Sequence, residues 1–94
     1  MTVTEAAFEA FKTRKLSEGY DQVLVREWAP DLANDLHEHP FDADALVVKG
    51  ELWLTTNGLT THYKAGDAFK VARGVKHAER YGPEGAVLWA ARKN

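Results

Sequence analysis

The hydrophobic period of the chain changes once, near Gly19. Before it, Val3, Ala6, Ala7, Ala10 and Phe11 recur at spacings of three and four, with Phe8 broadening the stripe. That pattern predicts one helix with an apolar face, packed outside a sheet, and Thr4 stands where a cap would serve its first free amides. After Gly19 the period is that of strands. Tyr20 to Trp28 alternates around Val23 and Val25 and stops at Pro30. Leu36 to His39 is a short extended run ended by Pro40. Ala45 to Val48 leads to a turn at Lys49-Gly50, after which Leu52-Trp53-Leu54 resumes. Asn57-Gly58 is the strongest hairpin signal, because both residues tolerate positive φ. Leu59 to Tyr63 returns from it. Ala65-Gly66-Asp67 and Arg73-Gly74 flank a strand through Phe69 and Val71. Val75 to Tyr81 follows, Gly82-Pro83-Glu84-Gly85 turns, and Ala86 to Ala91 closes. About eight short strands at this turn frequency predict an all-β sandwich or barrel rather than a βαβ fold.

Length and composition narrow this further. Ninety-four residues make one domain, divided here into a helical segment, 1–18, and a barrel, 19–94. The formal net charge of −2, with lysines and arginines dispersed among acids, argues against a nucleic-acid footprint. No apolar stretch approaches about 20 residues, so membrane spanning is not expected. The absence of cysteine excludes disulfides and thiolate chemistry. The N-terminal stretch lacks the long apolar core of a signal peptide, and the expected location is the cytoplasm.

The chemistry-bearing residues are histidines. His37 and His39 are two apart, so on a strand they project side by side. A third imidazole from a neighbouring strand, His77, would complete a set that a divalent transition metal accepts. His62, alternating among threonines, reads as a surface or rim residue. Glu38, between the paired histidines, should face solvent. His37-Glu38-His39 lacks the helical spacing of zinc peptidases, and the dispersed glycines do not form a phosphate loop.

From about Tyr20 to Ala91 the chain resembles the cupin superfamily. His37-Glu38-His39 followed by Gly50 resembles the first cupin motif, and Gly66-Asp67, Ala72-Arg73-Gly74 and His77 resemble the second. The resemblance implies a jelly-roll β-barrel open at one end, with His37, His39 and His77 converging inside on a metal. It also exposes a departure. The glutamate ligand usual in the family, four residues after the second histidine, is Ala43 here. The asparagine often found after the last histidine is Tyr81.

A replacement carboxylate has three candidates. Asp42 and Asp44 flank the vacant position, but strand alternation turns both away if Ala43 points inward, unless a bulge brings one back. Glu79, two residues after His77, would share its face; its alternative role is to pair with a surface arginine or lysine. Ala43 and Ala45 leave room beside the histidines, and Trp28, Phe41, Trp53, Tyr81 and Trp89 are candidates to line it or to fill the core. Trp28 could equally serve a subunit contact.

The leading expectation is a metal-binding cupin that takes a small polar organic ligand or substrate at iron, nickel, zinc, manganese or copper. As a metal-dependent oxygenase or isomerase it would use Glu79 or Tyr81 for proton transfer. The alternative is a non-catalytic binding or sensing domain, similar to the cupin modules of bacterial regulators but without their DNA-binding helices. A homodimer is expected, because a barrel this small gains by burying exposed strand faces.

Overall fold

The structure is a computed structural model and describes residues 3–94. It consists of helix α1 (Val3–Ser17) and strands β1 (Gln22–Trp28), β2 (Ala33–His37), β3 (Asp42–Thr56), β4 (Leu59–Lys64), β5 (Ala68–Val71) and β6 (His77–Lys93). All strand pairs are antiparallel. Instead of eight short strands there are six, two of them long. β3 and β6 run side by side from Asp42↔Lys93 to Thr56↔His77. The turns expected at Lys49-Gly50 and at Gly82–Gly85 are bends inside these two strands.

The reason is closure of the barrel. A long strand can belong to both halves of a sandwich if it bends and shifts register at the crossing. β3 and β6 do so together, with shifts between Val47 and Lys49 and between Gly50 and Leu52. Gly50 and Gly85 meet at this fold, at φ +77° and +71°. A Cβ on Gly50 would strike the Gly85 backbone, and one on Gly85 would strike the Trp28 carbonyl. Only glycine allows three backbones to approach so closely.

The bend divides the ladders into two halves. One comprises β1, residues 86–92 of β6, the first part of β3 and β5; the other comprises β2, residues 77–80 of β6, the second part of β3 and β4. It also switches the parity that points inward. Ala43 and Ala45 line the interior before the bend in β3, and Leu52 and Leu54 fill it afterwards. In β6, His77, Glu79 and Tyr81 face inward first, then Leu88, Ala90 and Arg92. The inner core is built on Val47, Leu52, Leu54, Val71, Tyr81, Ala86 and Leu88.

A second core lies outside the barrel, beneath α1. Phe11, Val23, Trp89 and Ala91 are buried there, with Phe8, Tyr20, Leu46 and Val48 packed around them. Phe8 and Phe11 meet the Trp89 ring at centroid distances of 5.4 and 5.6 Å. The docking stripe of α1 is therefore Phe8, Phe11 and Lys15, while Ala6, Ala7 and Ala10 face solvent. Those alanines contribute helix propensity but too little apolar area to compete with two phenylalanines. Thr4 lies within the first turn rather than capping it. The side chain of Val3, also expected on the stripe, lies outside the described residues.

Candidate metal centre

The loop from β2 to β3 and the start of β6 bring the histidines together. His37 is the last residue of β2, His77 the first of β6, and the two are register partners. His39 lies beyond the end of β2, so the expected placement of both paired histidines on one strand is not what the chain adopts. β2 bulges between Asn34 and His37, which ends its regular pairing before His39. The loop is pinned instead by the amide of Gly74, which donates to the His39 carbonyl at 3.0 Å.

The three rings form a compact triangle, with centroid separations of 4.9 Å (His37–His39), 4.3 Å (His37–His77) and 4.8 Å (His39–His77). One ring nitrogen from each lies within 4.8 Å of the other two, a group that could hold a metal ion. Second contacts orient the rings. Nδ1 of His37 lies 2.6 Å from the Asp35 carbonyl, and Nδ1 of His77 lies 3.0 Å from the Val75 carbonyl. A carbonyl only accepts, so each Nδ1 is the donor there, which in a neutral ring leaves the lone pair on Nε2. This is the outer-shell arrangement that prepares imidazole for a metal. Burial, then repulsion from His77 and His37, holds the His39 imidazole below its ordinary value and favours the neutral, ligating form.

Glu79 faces this cluster from two residues along β6. Its Oε1 is 3.4 Å from Nε2 of His77 and 3.9 Å from Nε2 of His37, and its Oε2 accepts a 2.9 Å bond from the Asn34 amide. Asn34 and Glu79 are register partners, so the strand pairing aims the carboxylate. Asp42 and Asp44 turn away. Asp42 accepts from the Arg73 amide at 2.7 Å, and Asp44 is buried beneath α1. Ala43, at the position expected to be a glutamate, lines the cavity and leaves space there. The donor set of three imidazoles, two of them oriented by backbone carbonyls, with a nearby carboxylate fits a divalent transition metal.

The cavity behind the histidines has a volume of about 110 Å³. Phe41, Trp28 and Tyr81 line it, as do Ala45, Phe69 and Val71. Tyr81 is buried and stacks on Trp28 at 5.2 Å. Burial above all, with the Glu79 charge second, pushes its phenol well above the ordinary range, so it is a proton donor rather than a base at neutral pH. Trp89 and Trp53 do not line the cavity. Trp89 lies under α1, and Trp53 stacks on His62 at 4.6 Å. His62 is exposed, as its sequence context suggests, and pairs with Glu51 at 3.5 Å. Glu38 is exposed too.

Two cavity residues escaped the sequence reading, Arg26 and Arg92. Arg26 alternates with Val23 and Val25, and those valines face the outer sheet surface, which leaves the arginine facing inward. Arg92 is turned inward by the parity switch at the β6 bend. For Arg92 the only sequence signal was the glycine pair at the switch.

No family model matches the sequence, and no curated protein matches it. Solved structures do match. The cupin domain of Schizosaccharomyces pombe Cnp3 aligns at a TM-score of 0.73 and 19% identity, covering 82% of this chain and 58% of that one. An RmlC-like cupin from Shewanella frigidimarina aligns at 0.67 and 24%, covering 76% and 63%. An uncharacterized conserved protein with a double-stranded β-helix domain from Klebsiella pneumoniae aligns at 0.63 and 31%, covering 76% and 64%. The chain thus spans about three-fifths of these structures' lengths. The fold is that of cupin β-barrels, here preceded by a short helix. No described helix is long and apolar enough to cross a membrane.

Proposed function

We propose that this cupin binds a divalent transition metal (iron, nickel, zinc, manganese or copper) through His37, His39 and His77, and presents it to a small polar organic ligand in the barrel. The observation that supports this most is the placement of the rings: two Nδ1 atoms lie against backbone carbonyls, and Nε2 of both rings lies within 3.9 Å of Glu79 Oε1. A bound metal would supply Lewis acidity or oxygen binding beside the ligand. Glu79, within reach of two histidines, is the group to accept or return a proton, as an oxygenase or isomerase would require. Tyr81 would donate a hydrogen bond. The test is elemental analysis of protein stripped by chelator and reloaded. One tightly held ion per chain is expected, with a higher melting temperature; no retained ion and no thermal shift would overturn the reading.

Binding or sensing without turnover is a second reading, favoured by Ala43, which leaves the family's usual carboxylate position empty of any donor. Thermal-shift screening of metabolites, followed by product analysis of the binders, separates it from catalysis.

We also propose a homodimer. Val25, on the outer face of β1 beside α1, is 48% exposed, and Leu59 at the β4 hairpin is 69% exposed. Pairing would bury apolar surface that a barrel this small leaves in water. Sedimentation should give twice the chain mass, and the mass of one chain would remove the proposal.

A further inference from the structure

Besides the histidines and Glu79, the cavity lining carries two guanidiniums that no acid among the described residues pairs. These are Arg26 of β1 and Arg92 of β6, in the other half of the sandwich. Among the described residues neither guanidinium takes part in an ion pair or a side-chain hydrogen bond. Acids are not scarce, since the chain carries 14 against 12 lysines and arginines. Several of them are engaged elsewhere: Asp44 with Lys15, Asp42 with the Arg73 amide, Glu51 with His62, and Glu79 with Asn34 and the histidines.

The two guanidiniums are nevertheless held in place by aromatic rings of the same cavity. Arg26 lies 4.9 Å from the Trp28 ring centroid and Arg92 lies 4.5 Å from that of Phe41. Phe41 in turn stacks on His39 at 4.7 Å, which links the cationic wall to the histidine cluster. A third donor stands beside them. Nε1 of Trp28 is the single buried side-chain polar atom left without a partner among the described residues. Buried donors normally find acceptors, and two like charges sharing a small cavity repel unless something between them is negative. Burial and the Arg26 charge already depress the Arg92 guanidinium below its ordinary value.

We infer that the ligand of this pocket is a small organic carboxylate, its carboxylate held by Arg26 and Arg92 with the Trp28 indole N–H in support, and its other end towards the histidines. Guanidinium is the side chain whose paired donors match a carboxylate, and here each one is held against a single ring. The volume of about 110 Å³ sets the size. It is well below the roughly 300–1,000 Å³ of pockets for drug-sized ligands, so an acid of a few carbon atoms fits and a sugar polymer does not. This inference rests on the proposed reading of the cavity as the ligand site, but not on occupancy of the metal.

The test is calorimetric titration of malonate, neutral malonamide and inorganic phosphate into metal-loaded and chelator-stripped protein. Malonate should bind at least 10-fold more tightly than malonamide or phosphate. Arg26→Gln and Arg92→Gln should each weaken malonate about 10- to 100-fold, the range for loss of a charge-assisted hydrogen bond. Both variants should keep the parent's metal stoichiometry, and an unchanged near-ultraviolet circular dichroism spectrum would show an intact core. If either variant misfolds, Trp28→Phe keeps an aromatic face beneath Arg26 while removing the N–H and part of the ring, and should weaken malonate by a smaller factor. Malonate affinity unchanged in both arginine variants, or phosphate bound as tightly as malonate, would overturn the inference. Arginine-dependent malonate binding by a protein that takes up no metal would sink the metal reading alone.

Discussion

Replacing His77 with alanine is expected to weaken divalent-metal binding by more than about 100-fold, beyond the 10- to 100-fold usual for loss of an outer-shell partner. His77 is 1% exposed, its Nδ1 is fixed on the Val75 carbonyl, and its Nε2 is the histidine nitrogen nearest Glu79. The effect extends to stability, because a metal that binds only the folded chain stabilises it by mass action. At a concentration 100 times the parent dissociation constant the metal adds about 2.7 kcal/mol; a 100-fold weaker site adds about 0.4 kcal/mol. Urea unfolding with and without metal should show this contraction. His37→Ala provides a second variant at the rim, where the side chain is 33% exposed and its loss disturbs packing less. Glu79→Gln should cost about 10- to 100-fold, because the amide keeps the Asn34 contact but loses the charge. His62→Ala, on the outer face against Trp53, should leave affinity unchanged. Parent-like affinity in both His37→Ala and His77→Ala would refute the three-histidine centre.

The reach of the sequence differed between the two walls of the cavity. The histidine wall was legible because its residues have rare chemistry, and because His77, Glu79 and Tyr81 precede the bend in β6, where simple alternation still holds. The arginine wall was not. Alternation along β1 singled out Val23 and Val25 as an apolar face, and an apolar face normally means the interior. Here the outer surface of that half is apolar as well, because α1 covers it with Phe8 and Phe11. Arg26 therefore looks solvent-exposed in one dimension and is a cavity residue in three. Arg92 was hidden differently, by a register shift that a glycine permits but does not announce. The same shift explains why neither Trp53 nor Trp89 lines the cavity, although Trp89 does fill a core, the one beneath α1. Glycines at Gly50 and Gly85 read as strand ends; in a barrel they allow a strand to continue round a corner.

Replacing Lys15 with methionine is expected to cost about 3 kcal/mol of stability, the low end of the 3–5 kcal/mol seen when a buried pair loses one partner. Lys15 reaches from α1 into the outer core, where its Nζ lies 2.7 Å from Oδ2 of Asp44. The two side chains are only 12% and 6% exposed. Methionine preserves most of the stem that packs near the Phe11 and Tyr20 rings, so the loss isolates the charge. The stranded Asp44 carboxylate would keep a single weak partner, the Tyr20 hydroxyl at 3.4 Å. That hydroxyl stays protonated because burial raises its pKa, so it can donate but cannot neutralise the charge. Asp44→Asn should cost less, because the freed ammonium retains Glu18 at 3.2 Å and can reach solvent. The double variant should be more stable than Lys15→Met alone, since neither charge is then left buried by itself. The pH dependence has a definite sign. The Asp44 hydrogen bond holds the Lys15 ammonium above its ordinary 10.5, so its contribution is complete at neutral pH. It is lost only as pH rises beyond 10.5 and through the raised value, because the unfolded chain releases that proton first. Urea denaturation of the three variants at neutral pH checks the cycle. A Lys15→Met variant within about 1 kcal/mol of the parent would place the pair with ordinary surface salt bridges, and α1 would then be held by Phe8, Phe11 and Trp89 alone.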